Sequence, residues 1–152
     1  YENIVYNFHC YEPLIFTHQG AGWIDTMPSD YRMSFDHDMS VFRDRTKKYL
    51  PNNMIMLEPA KDIHHALDSV FFEKLFAEAV SVAEERNVPL YCGEYGVINL
   101  ASPEDTLKWY QSIHAVFEKY GIGRAAWSYK EMDFGLIDGH MDTVRKEVIR
   151  EL

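Results

Sequence analysis

The chain has 152 residues, the size of one compact domain. Hydrophobic residues make up 47% and charged residues 26%, a globular balance that excludes a disordered or collagen-like chain. Apolar runs stay well below the roughly 20 residues that a bilayer crossing requires, so we expect no membrane span. The net charge of -9 would repel a phosphate backbone, so nucleic acid is not an expected partner.

Cysteines and aromatic residues narrow the class of protein further. Cys10 and Cys92 are too few for a disulfide-rich scaffold, so a hydrophobic core must stabilise the fold. The aromatic fraction of 14% exceeds the needs of a small core, and surplus rings often stack on flat apolar ligand faces such as sugars. Core packing is the alternative explanation. The start at Tyr1, without an initiator methionine or a signal-peptide pattern, suggests a processed or trimmed end.

The first predicted element is a buried strand over residues 4–11 (IVYNFHCY), which are β-branched and aromatic. Pro13 ends it. Residues 12–40 contain scattered Gly, Pro, Asp and Ser without a sustained period and predict a long loop, which in a compact domain is usually functional. A short helix over 41–49 follows, stopped by Pro-Asn-Asn at 51–53.

The remaining chain alternates between amphipathic helices and apolar strands. We predict a helix from Asp68 to Asn87, a strand over 88–95, a helix from the N-cap Ser102 to Gly121, a strand over 124–129 and a helix over 143–152. Helices between buried strands indicate a parallel sheet covered by crossover helices, so the predicted class is α/β. Three strands cannot close a barrel, so either further strands come from elsewhere or the chain is part of a larger domain.

Polar side chains are predicted at the carboxyl ends of the three strands, where active sites of parallel sheets collect. His9 and Tyr11 are two residues apart and so share one side of the first strand. Glu94 ends the second strand between two glycines, and Trp127 lies near the end of the third. By the same alternation, Cys10 points away from the site and Cys92 lies on the side of Glu94, so no disulfide is expected between them.

Four segments carry a resemblance to a known family. They are Asn7-Phe8-His9-Cys10-Tyr11-Glu12-Pro13, Phe16-Thr17-His18-Gln19-Gly20-Ala21-Gly22-Trp23, Pro89-Leu90-Tyr91-Cys92-Gly93-Glu94-Tyr95-Gly96 and Ala126-Trp127-Ser128-Tyr129. In this order they resemble glycoside hydrolase family 5, the cellulase family, whereas residues from about 24 to 62 do not align. The resemblance implies an α/β fold, the C-terminal portion of a (β/α)8 TIM barrel with strands six to eight and their helices. Residues 1–152 would then be a partial glycoside hydrolase catalytic domain.

The resemblance also implies roles for individual residues. Glu94 corresponds to the catalytic nucleophile, and His9 and Tyr11 to residues that line the cleavage subsite and hold that nucleophile. Retaining glycosidases need one ionised carboxylate and one protonated carboxyl group roughly 5–5.5 Å apart. A Tyr11 hydroxyl donating to Glu94 would stabilise the anion, and the flanking glycines would leave room for a sugar ring.

Three further substrate-binding residues follow from the resemblance. Trp127 corresponds to the floor on which the sugar stacks, and His18 and Trp23 would reach the leaving-group side. Without the resemblance, Glu94 could be an ordinary exposed loop carboxylate and His9 a core histidine. Trp23 could simply pack the loop against the strands.

The acid/base glutamate of the family, which ends the fourth strand between asparagine and proline, is not found in this sequence. Glu58-Pro59 is the only similar pair after the first strand, but Leu57 replaces the asparagine and the pair falls between the sixth and seventh strands. Losing leaving-group protonation costs ~10²–10⁴ in rate, so we expect this chain alone to be inactive. Its partner would be a missing N-terminal barrel half or a second copy of the chain.

The leading hypothesis is the C-terminal part of a retaining endo-β-1,4-glucanase that acts on a polysaccharide or oligosaccharide without a metal or other cofactor. Mannan or mixed-linkage glucan would use the same core residues, so they are alternative substrates. His37 and the pair His64-His65 are interpreted as solvated surface rather than metal ligands. The rival hypothesis is a glycan-binding or inactive half-barrel that grips polysaccharide through Trp23 and Trp127. A polymeric substrate would favour an extracellular enzyme.

Overall fold

The computed structural model describes residues 3–152, in which three strands form one parallel sheet in the order β1-β2-β3. Strand β1 spans Tyr6–Cys10, β2 spans Leu90–Tyr95 and β3 spans Gly123–Arg124. The predicted parallel α/β sheet is therefore confirmed.

The third strand is much shorter than the predicted 124–129. Backbone bonding to β2 nevertheless continues beyond it, because the Ala125 amide donates to the Cys92 carbonyl and the Trp127 amide donates to the Tyr95 carbonyl, both at 2.9 Å. The segment therefore follows β2 as far as Trp127 without regular ladder pairing.

Five α-helices and two 3₁₀ helices connect or follow the described strands. They are α1 (Leu14–Thr17), α2 (Met39–Tyr49), a 3₁₀ helix (Pro51–Ala60), α3 (Ser69–Arg86), α4 (Pro103–Tyr120), a second 3₁₀ helix (Gly139–Met141) and α5 (Arg145–Glu151). The predicted ends of α3 and α4 are confirmed. The Asp68 and Ser102 side chains accept backbone N–H groups at the helix starts, and Asn87 and Gly121 adopt left-handed conformations at the ends.

Three predictions outside α3 and α4 need correction. The loop predicted over 12–40 contains α1, whose first amide, that of Leu14, donates to the Glu12 carboxylate at 3.0 Å. Helix α2 begins at Met39 rather than at 41, because the Met39 amide bonds to the His65 carbonyl across the fold. The predicted end of this helix is confirmed at Tyr49, but a separate 3₁₀ helix, Pro51–Ala60, follows it, since proline is tolerated at a helix start.

The main core lies between the sheet and the helices, and the opposite face of the sheet is open. Phe8 and Cys10 of β1 pack toward the helices, where the rings of Phe76 and Phe117 stack with centroids 5.8 Å apart. The alternate residues Asn7 and His9 are exposed. The face that would line the interior of a barrel is thus accessible. Among the described helices, none combines the length and the apolar character that a membrane crossing needs.

An irregularity in the β1–β2 pairing changes the predicted position of Cys92. Phe8 pairs with Cys92, but His9 pairs with Glu94, so the register shifts by one residue at Gly93. Cys92 is consequently fully buried in the main core together with Cys10, and both are free thiols. The expectation that Cys92 shares the side of Glu94 was wrong, because strict alternation does not survive a bulge.

A buried histidine should make the stability of the fold pH-dependent. The His114 ring is 1% exposed and its Nε2 lies 2.7 Å from the Tyr95 hydroxyl. Burial, and then the nearby charge of Arg124, lower the pKa of His114 to about 3. In the unfolded chain the imidazole takes up a proton near pH 6.5. The contribution of His114 to the free energy of unfolding is therefore constant above that pH and falls as the pH drops toward 3.

We therefore expect His114→Gln to flatten the acid-side decline in thermal stability of the full-length protein. The titration accounts for about 2 kcal/mol at pH 5, which corresponds to roughly 5 °C in Tm. Scanning calorimetry at pH 7.5 and pH 5 measures the difference, and His65→Gln, at an exposed histidine, serves as the control. Equal declines in the wild type and in His114→Gln would contradict this assignment.

Candidate active site

A carboxylate, an imidazole and a phenol meet at the carboxyl ends of β1 and β2. The Tyr11 hydroxyl donates to Glu94 Oε2 at 3.0 Å, and His9 Nδ1 lies 3.5 Å from the same oxygen. The Glu94 side chain is 36% exposed and that of His9 48%. Among the described residues, no side chain or amide bonds to Glu94 Oε1. The carboxylate is therefore held through one oxygen, while the other oxygen is left without a protein partner among these residues.

The Tyr11 hydroxyl stays protonated and can therefore donate this hydrogen bond. Partial burial, followed by the bond to Glu94, raises the pKa of the Tyr11 hydroxyl well above its ordinary value. The phenol therefore keeps its proton around neutral pH, and Glu94 faces a hydrogen-bond donor there.

The glycines beside Glu94 make room for protein rather than for a sugar. A Cβ at Gly93 would lie 2.6 Å from Asn7 Oδ1, and a Cβ at Gly96 would collide with the Trp127 carbonyl oxygen. The two glycines thus let β1 and the segment after β3 approach β2 closely. The expectation that this space receives a sugar ring was wrong.

Trp127 lies beside the end of β2, next to the residues that follow Glu94. Its amide donates to the carbonyl of Tyr95, the residue after Glu94, and its side chain is 37% exposed. The indole is therefore accessible at the rim of the sheet on which Glu94 lies.

His18 and Trp23 lie in a group of aromatic rings that includes Tyr11. The ring centroids of Tyr11 and His18 are 5.2 Å apart and edge to face, and those of His18 and Trp23 are 6.1 Å apart. His18 Nδ1 lies 3.0 Å from Thr17 Oγ1, and burial lowers the pKa of His18 to about 4. His18 is therefore uncharged at neutral pH. Trp23 remains 55% exposed.

Phe134, which was not predicted from the sequence, completes this group. Its ring is 6% exposed and lies 5.7 Å from that of Tyr11, 5.3 Å from His18 and 6.5 Å from Trp23. The surrounding residues 128–138 have no hydrophobic period. The only available signal was an isolated aromatic residue in the segment that follows the third strand.

The other sequence candidates lie apart from this group. Glu58 is exposed on the 3₁₀ helix Pro51–Ala60, and within residues 3–152 it forms no ion pair or side-chain hydrogen bond with Glu94. In the same range, no cluster of three His, Cys, Asp or Glu side chains could hold a metal ion.

The fold and the polar group define an α/β protein with a parallel sheet and polar side chains gathered at the carboxyl ends of its strands. The family model described as cellulase (glycosyl hydrolase family 5) matches residues 1–133. The chain belongs to glycosyl hydrolase family 5.

Curated relatives match most of this chain but are much longer. Cellodextrinase A of Ruminococcus flavefaciens is 41% identical over 123 residues, which cover 81% of this chain and 29% of the relative. Endoglucanase C of Acetivibrio thermocellus is 33% identical over 156 residues, which cover 98% of this chain and 43% of the relative. The chain spans less than half the length of either protein.

Solved structures show the same fold. Thermotoga maritima Cel5A, solved in complex with a mannotriose substrate, superposes with a TM-score of 0.64 at 23% identity. The match covers 100% of this chain and 40% of that one. The expected fold, a portion of a (β/α)8 barrel, is thereby confirmed.

Proposed function

We propose that residues 1–152 are part of a retaining endo-β-1,4-glucanase catalytic domain in which Glu94 is the nucleophile. The observation that carries the proposal is the carboxylate of Glu94, which is held through Oε2 by Tyr11 and has no hydrogen-bond partner at Oε1 among residues 3–152. Membership of family 5 and the names of the cellodextrinase and endoglucanase relatives support β-linked glucan as the substrate.

In the first step, Glu94 Oε1 attacks the anomeric carbon while the bond from that carbon to the glycosidic oxygen breaks. The leaving oxygen takes a proton from an acid/base carboxyl group outside these residues. In the second step, water attacks the same carbon, gives its proton to the acid/base carboxylate and releases Glu94. Tyr11 keeps its bond to Oε2 throughout, so attack costs no reorientation of the carboxylate.

The neighbouring side chains would bind and orient the sugars. His9, close to Glu94 and exposed, would line the cleavage subsite, and Trp127 would offer its indole face to the C–H groups of the sugar ring. His18 and Trp23 would contact the leaving-group side. Because His18 is uncharged at neutral pH, it can donate or accept a hydrogen bond to a hydroxyl without adding charge. The mechanism uses no metal or organic cofactor.

The proposal requires a second part of the barrel, either an N-terminal half of the same protein or a second copy of this chain. The open sheet face exposes Val5 at 56%, and Tyr129 is 73% exposed at the far edge. A second part would cover such surfaces and supply the acid/base group. These residues alone should therefore bind glycan without hydrolysing it.

Product stereochemistry tests the proposed function. The full-length enzyme is given cellotetraose, and proton NMR follows the anomeric signals of the first products. Retention predicts that the β-anomer appears first and mutarotates later, whereas first appearance of the α-anomer would contradict a Glu94 nucleophile. Binding without any new reducing ends would instead favour a glycan-binding half-barrel, which the exposed rings of Trp23 and Trp127 make the second candidate.

A further inference from the structure

We propose that Phe134 is a positioning residue that holds Tyr11 and His18 in place and thereby orients the Glu94 carboxylate. The proposal rests on the function assigned above to Glu94. Phe134 itself is buried and acts through Tyr11, which bonds to Glu94.

Phe134 belongs to a small hydrophobic cluster that is separate from the main core. Its buried members are Ala21, Ile98 and Phe134, which come from the segments following β1, β2 and β3 respectively, and Tyr11 packs against them. One cluster of three side chains therefore joins the three loops on which the candidate site is built.

The backbone around Phe134 is held from both sides. The Ser128 amide donates to the Phe134 carbonyl at 3.2 Å, and the Asn99 amide, from the loop after β2, donates to the Asp133 carbonyl at 2.7 Å. Residues 131–133 all have positive φ values, between 58° and 64°. L-residues adopt such conformations only where the surrounding structure imposes them. The conformation of this turn therefore fixes the position of the Phe134 ring.

The ring geometry links Phe134 to the reacting carboxylate. Phe134 meets Tyr11 edge to face at 71°, an arrangement that aromatic rings prefer, and lies tilted by 58° against His18. Removing the ring would open a space beside both neighbours. Tyr11 could then turn into that space, and its hydroxyl would leave hydrogen-bond distance of Glu94 Oε2.

The test compares Phe134→Ala with Phe35→Ala in the full-length enzyme, with an aryl cellobioside as substrate. Phe35 is a matched control: it is 5% exposed, lies in a loop and meets Phe16 edge to face at 5.6 Å. For Phe134→Ala we expect kcat of the folded enzyme to fall about 10- to 100-fold, with KM changed less than threefold. Phe134→Leu, which keeps part of the buried volume, should lower kcat by a smaller but measurable factor of about 3- to 10-fold. Phe35→Ala should lower Tm without changing kcat.

A double-mutant cycle separates positioning from general stability. Because Phe134 acts through Tyr11, substitution of Phe134 by Leu or Ala should lower kcat little further in the Tyr11→Phe background. Equal fold-losses in both backgrounds, or wild-type kcat in folded Phe134→Ala, would overturn the inference. If Phe134→Ala does not fold, the cycle with Phe134→Leu decides. Full activity of Glu94→Gln would instead overturn the proposed function itself.

Discussion

Replacing Glu94 with Gln should lower kcat of the full-length enzyme on the order of 10⁴-fold or more, while glycan binding stays measurable. The amide keeps the size of the side chain and can still accept from Tyr11, but it cannot form the glycosyl ester that retaining hydrolysis requires. Loss of turnover without loss of binding is the behaviour of a group that acts on the transition state.

Glu58→Gln is the matched control for that experiment. Glu58 is followed by proline, as in the acid/base motif, yet it is exposed on a 3₁₀ helix and, within residues 3–152, forms no ion pair or side-chain hydrogen bond with Glu94. Its substitution should leave kcat and KM unchanged. A large loss of activity in Glu58→Gln, with near-normal activity in Glu94→Gln, would reverse the assignment.

Replacing Tyr11 with Phe should lower kcat about 10- to 100-fold and change KM little. The variant removes only the hydroxyl that donates to Glu94 Oε2 at 3.0 Å. A hydrogen bond to a charged acceptor contributes about 1.5–3 kcal/mol, and each 1.4 kcal/mol corresponds to tenfold in rate. Steady-state kinetics measure the split between kcat and KM.

Tyr120→Phe provides the comparison for Tyr11. Tyr120 is the last residue of α4 and is 38% exposed, so the same chemical change there should leave the kinetics unaltered. Unchanged kcat in Tyr11→Phe would mean that the bond to Glu94 does not support the reaction.

Elements with local signals were predictable from the sequence. Helices α3 and α4 combine an apolar stripe with capping residues at both ends, and local propensity and tertiary packing agree there. Helix α1 has only four residues, which is too short for a hydrophobic period to be recognised in the sequence. Its first amide bonds to the Glu12 side chain. The pairing of β3 was overestimated because an apolar sequence does not reveal where ladder bonding stops.

The candidate site was predictable in part for the same reason. The two-residue spacing of His9 and Tyr11 correctly placed both beside Glu94. The register shift at Gly93 follows from how β1 and β2 pair and is not visible in the sequence of either strand, so alternation alone put Cys92 on the wrong side. Phe134 reaches Tyr11 through contacts among three loops, which leave no trace in any single segment of sequence.

Covalent trapping tests the central claim most directly. A 2-deoxy-2-fluoro-cellobioside with a dinitrophenolate leaving group should label the full-length enzyme, because fluorine slows release of the glycosyl ester while the good leaving group still permits its formation. After digestion, mass spectrometry should find the fluorosugar on the peptide that contains Glu94, and Glu94→Gln should remain unlabelled. Labelling of a different carboxylate would contradict the account.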